Sequence, residues 1–132
     1  MAKLKLSNNT DIDLAERGVI SPDQVRRVEI DAMVDTGCTL LALPADVVAR
    51  LGTPVAGTKV MLDARGQRVD VPWVAGLRIE VFGRWMTGDA LVLPEGARPL
   101  LGQLQLEELD LVVDARAQDV HVRHPEGPIL TL

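Results

Sequence analysis

A carboxylate interrupts an apolar run in Ala32-Met33-Val34-Asp35-Thr36-Gly37-Cys38-Thr39-Leu40-Leu41-Ala42-Leu43-Pro44, and this stretch holds the residues best suited to chemistry. An ionised Asp left alone in a core is costly, so Asp35 must be hydrogen-bonded, paired, or presented in a cleft where its strand ends. The Thr36 hydroxyl can donate and accept, while Gly37 lets backbone approach closely and leaves its amide free to donate to a carboxylate. Taken alone, Asp-Thr-Gly reads as well as a capped turn, because Asp and Gly are ordinary turn residues. Cys38 is a nucleophile only beside an activating base, and nothing in the sequence places His121 or His124 there. A buried small residue is its simpler role. His121 and His124 stand three apart on an expected strand and so point to opposite faces, which argues against a shared metal. No metal and no cofactor is expected. Asp31, Asp110 and Asp114 read as structural strand, post-helix and turn residues, and Asp89 as a half-buried turn residue.

The elements that must position Asp35 come from a chain of 132 residues with a net charge of -5. That length fits one domain, and the 41 Val, Leu and Ile residues are ample for a core without disulfides or a structural metal. The acidic balance argues against a nucleic-acid binder, whose affinity comes from a Lys/Arg surplus. With Trp73, Phe82 and Trp85 as the only aromatics, stacking platforms for bases are also scarce. No run approaches the ~20 apolar residues of a membrane span, and the N-terminus lacks a signal peptide's apolar stretch. One unpaired cysteine suits a reducing compartment, so a cytoplasmic location with no membrane partner is expected.

Short Val- and Leu-rich runs punctuated by 11 Gly and 8 Pro indicate a mainly β chain. Strands are expected at 3–6 and 25–34, the second running from the surface inward to deliver Asp35. A turn at 8–10 and one helical turn within 11–18 separate them. Pro44 and Gly52 bracket a short helix at 45–51. Residues 59–62 and 67–71 flank Asp63-Ala64-Arg65-Gly66, a hairpin in which Gly66 supplies a positive φ. A second hairpin joins 77–81 to 85–93 through residues 82–84. Leu100-Leu101-Gly102 forms a buried apolar segment before a short helix at 104–109, and a last hairpin pairs 111–113 with 120–122 around Ala115-Arg116-Ala117-Gln118. Trp73 and Trp85 are expected to pack, and Arg26-Arg27 to lie on a solvated edge or turn.

Three of these features, taken in order, resemble the retropepsin-like aspartic proteases, particularly small bacterial members. They are the apolar approach to Asp35-Thr36-Gly37 with Thr39 beyond, the glycine-bearing hairpin about thirty residues later, and Leu100-Leu101-Gly102 before a helix. The resemblance spans most of the chain. It implies a single retropepsin-like domain over 1–132, a closed β-barrel with a flap hairpin and one or two short helices. It implies Asp35 as the catalytic carboxylate and Thr36, Gly37, Cys38 and Thr39 as its support. Asp63, Ala64, Arg65 and Gly66 would be the flap, and Leu100, Leu101 and Gly102 would lie at the substrate site. Such enzymes need two carboxylates sharing one proton, and this chain has one Asp-Thr-Gly. A two-fold homodimer would supply the second, with Thr36 bonding across the axis and a peptide or protein substrate bound as an added strand. Val60, Met61, Ala64, Leu101 and Trp73 are the expected walls. The position after the glycine is usually Ala or Ser in the family and is Cys38 here. The alternative is a catalytically inactive, protease-derived dimeric peptide-binding module; a redox-responsive thiol protein using Cys38 is a third class.

Overall fold

The computed structural model describes residues 1–117 and 119–132. Among the described residues there are nine strands: β1 (Ala2–Asn8), β2 (Arg27–Val34), β3 (Leu41–Pro44), β4 (Val55–Leu62), β5 (Arg68–Val81), β6 (Arg84–Leu93), β7 (Leu100–Leu101), β8 (Leu111–Asp114) and β9 (Asp119–Val122). Seven make one sheet in the order β1-β2-β7-β3-β6-β5-β4, with a further pairing of β1 to β5, and β8 and β9 make a separate hairpin. Among the described residues no helix is long and apolar enough to cross a membrane.

Three α-helices punctuate the strands among the described residues, α1 (Asn9–Glu16), α2 (Ala45–Leu51) and α3 (Gln103–Glu108), near the three helical segments expected from the residues and one more than the resemblance implies. α1 begins ahead of the helical turn expected within 11–18, at Asn8, a residue expected in a turn. Its side-chain oxygen accepts the Asp11 N–H at 3.0 Å and starts α1 directly at the end of β1. The Asn8 amide also donates to the Leu51 carbonyl at 2.9 Å, joining α1 to the end of α2. There Gly52 closes α2 at φ 68°, the left-handed cap that its glycine permits.

β5 is another departure, one strand of 14 residues where two were expected. Gly76 at φ 77° explains the difference, since the pairing to β6 slips between Val74 and Leu77 and a bulge bends the strand without ending it. Residues 68–72 of β5 pair with β4 alone, so the outer part of the β4–β5 hairpin is a two-stranded ribbon beyond the body of the sheet. In the last hairpin Asp114 Oδ1 accepts the Arg116 and Ala117 amides at 3.0 and 3.3 Å. Gln118, expected in that turn, lies outside the described residues.

The core is aliphatic. Leu4, Leu6, Leu41, Leu43, Leu51, Val74, Leu77, Ile79 and Leu101 are fully or almost fully buried, and no aromatic residue joins them. Trp85, expected to pack, is 54% exposed, with the Arg78 guanidinium 4.0 Å above its ring. Arg26 is likewise no simple edge residue. Its Nε and Nη2 grip the two oxygens of the buried Asp11 at 2.8 and 3.0 Å, and its own N–H adds a third bond.

Candidate active site

β2 reaches Asp35 between β1 and β7. Met33 and Val34 pair in parallel with Leu100 and Leu101, and the Asp35 N–H extends that ladder to the Leu101 carbonyl at 3.0 Å. The strand does not dive into the interior, contrary to the expectation from its apolar end. Ala32 is buried, but Met33 is 37% exposed and Asp35 half-buried. Successive side chains of a strand alternate faces, so an apolar triplet presents only alternate members to the core. Asp35 thus stands at the rim of the sheet.

The loop after it is built from short-range bonds. Asp35 Oδ1 accepts the Gly37 N–H at 2.9 Å, and the Asp35 carbonyl accepts the Cys38 N–H at 3.2 Å. Asp35 Oδ2 has no hydrogen-bond partner among the described residues. A Cβ on Gly37 would lie 3.2 Å from Asp35 Oδ1, so the glycine is what lets amide and carboxylate meet without crowding. Thr36, Gly37 and Thr39 are exposed, and Cys38 is half-buried with its Sγ donating to the Leu40 carbonyl at 3.0 Å. Burial pushes the Cys38 thiol above its ordinary pKa, and the neighbouring Asp35 charge adds to the rise, against a smaller lowering from backbone hydrogen bonding at Leu40. This thiol is poorly prepared for nucleophilic work.

α3 locks the loop from behind. The first N–H groups of a helix lack intrahelical partners, and Gly102, at the cap position, has no side chain to offer them. The loop supplies carbonyls instead. Gln103 N–H donates to Cys38 O at 2.7 Å and Leu104 N–H to Thr39 O at 3.0 Å. A Cβ on Gly102 would lie 2.5 Å from Leu40 O, closer than real side chains come, so only glycine allows α3 to seat there. The expectation for Leu100, Leu101 and Gly102 changes accordingly. Leu101 is fully buried, Gly102 is buried and Leu100 is half-buried. Leu101 and Gly102 hold the Asp35 loop from within and cannot wall a cleft. The clamping amides of Gln103 and Leu104 are absent from the sequence-based expectations, although glycine before a helix is a signal for them.

The β4–β5 ribbon carries the other predicted residues. Its tip is ordered by Asp63, whose N–H donates to Gln67 O and whose Oδ1 accepts the Arg65 and Gln67 amides, all within 2.9 Å. Gly66 takes φ 76°, as expected, and donates to Asp63 O at 2.9 Å. Asp63, Ala64, Arg65 and Gly66 are all exposed, as are Val60 and Leu62 at 62% and 70%. Met61 and Trp73 are half-buried, and Lys59 Nζ lies 4.2 Å over the Trp73 ring.

A cavity of about 810 Å³ opens on the other side of Thr36, between α3, β8 and residues 129–131. Asp35 does not line it. At its wall is Asp110, buried and engaged by His124, which lies beyond the end of β9 and not on the strand where it was expected.

No family model matches the sequence, and no curated protein matches it. Among solved structures the fold is similar to the retroviral protease-like domain of Ddi1 from Leishmania major. The TM-score is 0.54 at 14% identity, over 99% of this chain and 94% of that one.

Proposed function

We propose that the chain is an aspartic endopeptidase of retropepsin-like fold, working as a two-fold homodimer in which Asp35 of each copy contributes one carboxylate. One observation carries the reading: on a protease-like fold, Asp35 sits at a strand end with Oδ1 held by Gly37 and Oδ2 unengaged, on a loop locked by α3. The single domain over residues 1–132 and a closed barrel belong to the same proposal, supported by the pairing of β1 with both β2 and β5. So does a cytoplasmic location.

In this mechanism two like charges held together cannot both ionise easily, so the dyad holds one proton. The ionised Asp35 removes a proton from water as its oxygen attacks the peptide carbonyl. The protonated partner donates to the carbonyl oxygen, giving a neutral gem-diol. Collapse of that intermediate returns a proton to the leaving nitrogen and frees amine and acid. Thr36, exposed beside Asp35, bonds across the axis in this reading, and Gly37 fixes the carboxylate's orientation. The β4–β5 ribbon is the flap, with Asp63, Ala64, Arg65 and Gly66 at its tip. An extended peptide would add its main chain as a strand beneath it.

Digestion of casein or a peptide library at mildly acidic pH tests the reading, with Asp35→Asn beside the wild type. Turnover should follow a bell on the acidic side of neutrality and vanish in Asp35→Asn with the fold retained. Mixing mutant with wild-type chains should depress activity beyond dilution as heterodimers form. Cleavage by Asp35→Asn near the wild-type rate would overturn the proposal. Peptide binding without cleavage by the wild type would favour the inactive binding module.

A further inference from the structure

Asp110, at the junction of α3 and β8, is buried and holds φ 55°, a left-handed conformation that a non-glycine residue enters at a cost. Its carboxylate gathers three groups. Oδ2 meets His124 Nδ1 and accepts the Ile129 N–H at 3.2 Å, while Arg123 Nε lies 3.3 Å from Oδ1. Arg84, buried at the start of β6, completes the knot. Its guanidinium donates to the carbonyls of Leu109 at 2.9 Å, Asp110 at 3.2 Å, and His124.

The knot anchors the C-terminal segment. Residues 128–132 belong to no helix or strand, and among the described residues the Ile129 amide is their one hydrogen-bonding group. Residues 129–131 nevertheless form one wall of the 810 Å³ cavity, with Thr36 on its rim. Their position across that cavity therefore hangs on one carboxylate.

We propose that Asp110 and His124 form a pH-responsive clasp holding residues 128–131 as a strap across this cavity. With His124 protonated, a charge-assisted bond fixes the carboxylate where it receives the Ile129 amide. With His124 neutral, an ordinary hydrogen bond remains, about half as strong, and the strap opens more often. The charged and titratable groups on the surrounding elements are Arg123 and Glu126 beyond β9, Arg84 and Asp89 of β6, Asp114 of β8, Asp119 and His121 of β9, and Glu107 and Glu108 of α3. Of these, Arg123 engages the same carboxylate, at its other oxygen. The hydrogen bond from His124 holds Asp110 below the usual carboxylate range against the effect of burial, with the Ile129 amide and the charges of His124 and Arg123 assisting. Asp110 is therefore ionised throughout the range in which an imidazole titrates. The clasp stands without the peptidase reading and relies on it for one consequence: if Thr36 lies at the dimer axis, the strap borders the interface and tightens under the mildly acidic conditions that suit a shared-proton dyad.

Amide exchange of Ile129, followed by NMR on the whole chain and corrected for intrinsic rates, tests the clasp. Protection at pH about 5 should exceed that at pH about 8 by roughly fivefold, while the amides of residues 32–34 show no such ratio. His124→Gln should give Ile129 the same low protection at both pH values. Asp110→Asn should lower it at both without adding backbone strain, since Asn tolerates the left-handed region as well as Asp does. A flat wild-type profile, or the wild-type ratio persisting in His124→Gln, overturns the clasp. The Asp35→Asn protein should keep the full Ile129 response, so failure of the peptidase reading and failure of the clasp are separable.

Discussion

Gly102→Ala tests how tightly the Asp35 loop is locked, independently of any activity. The new Cβ would lie 2.5 Å from Leu40 O, 2.6 Å from Leu40 C and 2.8 Å from Cys38 O. The shortest contact is half an ångström inside the closest approach that real Cβ atoms make. All three neighbours are backbone, so no side-chain rotation relieves the clash, and α3 must part from residues 38–40. That motion sacrifices the Gln103–Cys38 and Leu104–Thr39 hydrogen bonds, now 2.7 and 3.0 Å. Two bonds at ~1 kcal/mol each, with further strain from overpacking, give a loss of about 2–4 kcal/mol. In urea unfolding the midpoint should fall by roughly 1–2 M. Gly66→Ala is the control: its φ is 76° but nothing lies within 4 Å of the new Cβ. It should cost only about 1 kcal/mol of backbone strain. Should Gly102→Ala prove no less stable than Gly66→Ala, the lock is not where we place it. If the protein is a peptidase, displacing Asp35 by ~1 Å should also slow turnover about 100-fold.

Hydrogen exchange should find the amides of residues 60–69 less protected than those of 32–34, because the ribbon beyond the sheet has strand pairing on one side only; equal protection without ligand would contradict a flap. Alkylation of Cys38 by iodoacetamide should be slow at neutral pH and accelerate only above the ordinary thiol range, since burial raises its pKa, and Cys38→Ala should match the wild type in stability to within about 1 kcal/mol. Rapid labelling at pH 7 would contradict that burial. Asp11 is held below the usual carboxylate range mainly by its hydrogen bond from Arg26. Its stabilisation should be complete above the unfolded pKa, near ~3.9, and be lost as pH falls through the lower folded value. Asp11→Asn should therefore be less stable at pH 7 and show a shallower decline below pH ~4 in denaturant titrations; an unchanged acid slope would assign the acid sensitivity elsewhere.

Local punctuation makes much of the fold legible. Pro44 and Gly52 bound α2, Gly66 sits at the turn between β4 and β5, and the order of strands and hairpins follows the Val- and Leu-rich runs. Sequence and structure part where one residue acts on distant backbone or on both sides of a rule. Asn8 looks like a turn residue but caps a helix, and Gly76 looks like a break but makes a bulge. The apolar triplet before Asp35 overstates its burial, because three apolar neighbours on a strand do not share one face. Asp35-Thr36-Gly37 is visible as a candidate from the sequence, and so is a glycine before α3. What Gly102 does is not, because the clash that only glycine avoids involves a carbonyl more than sixty residues away. The Arg26–Asp11 and Asp110–His124 pairs are hidden for the same reason. Neither spacing is that of a helix face or a strand pair, and only the tertiary fold brings them together.

The wholly aliphatic core has an optical consequence. Both indoles lie outside it, Trp85 in solvent under a guanidinium and Trp73 at the base of the β4–β5 ribbon beside Lys59. Intrinsic fluorescence will therefore be a poor gauge of global unfolding, because Trp85 already emits from a solvated setting and has little red shift left to give. It will instead report on the ribbon. A blue shift or loss of iodide quenching at Trp73 when a peptide is added would mark engagement of that hairpin, and replacing Trp85 with Phe would leave a protein whose emission comes from that one place.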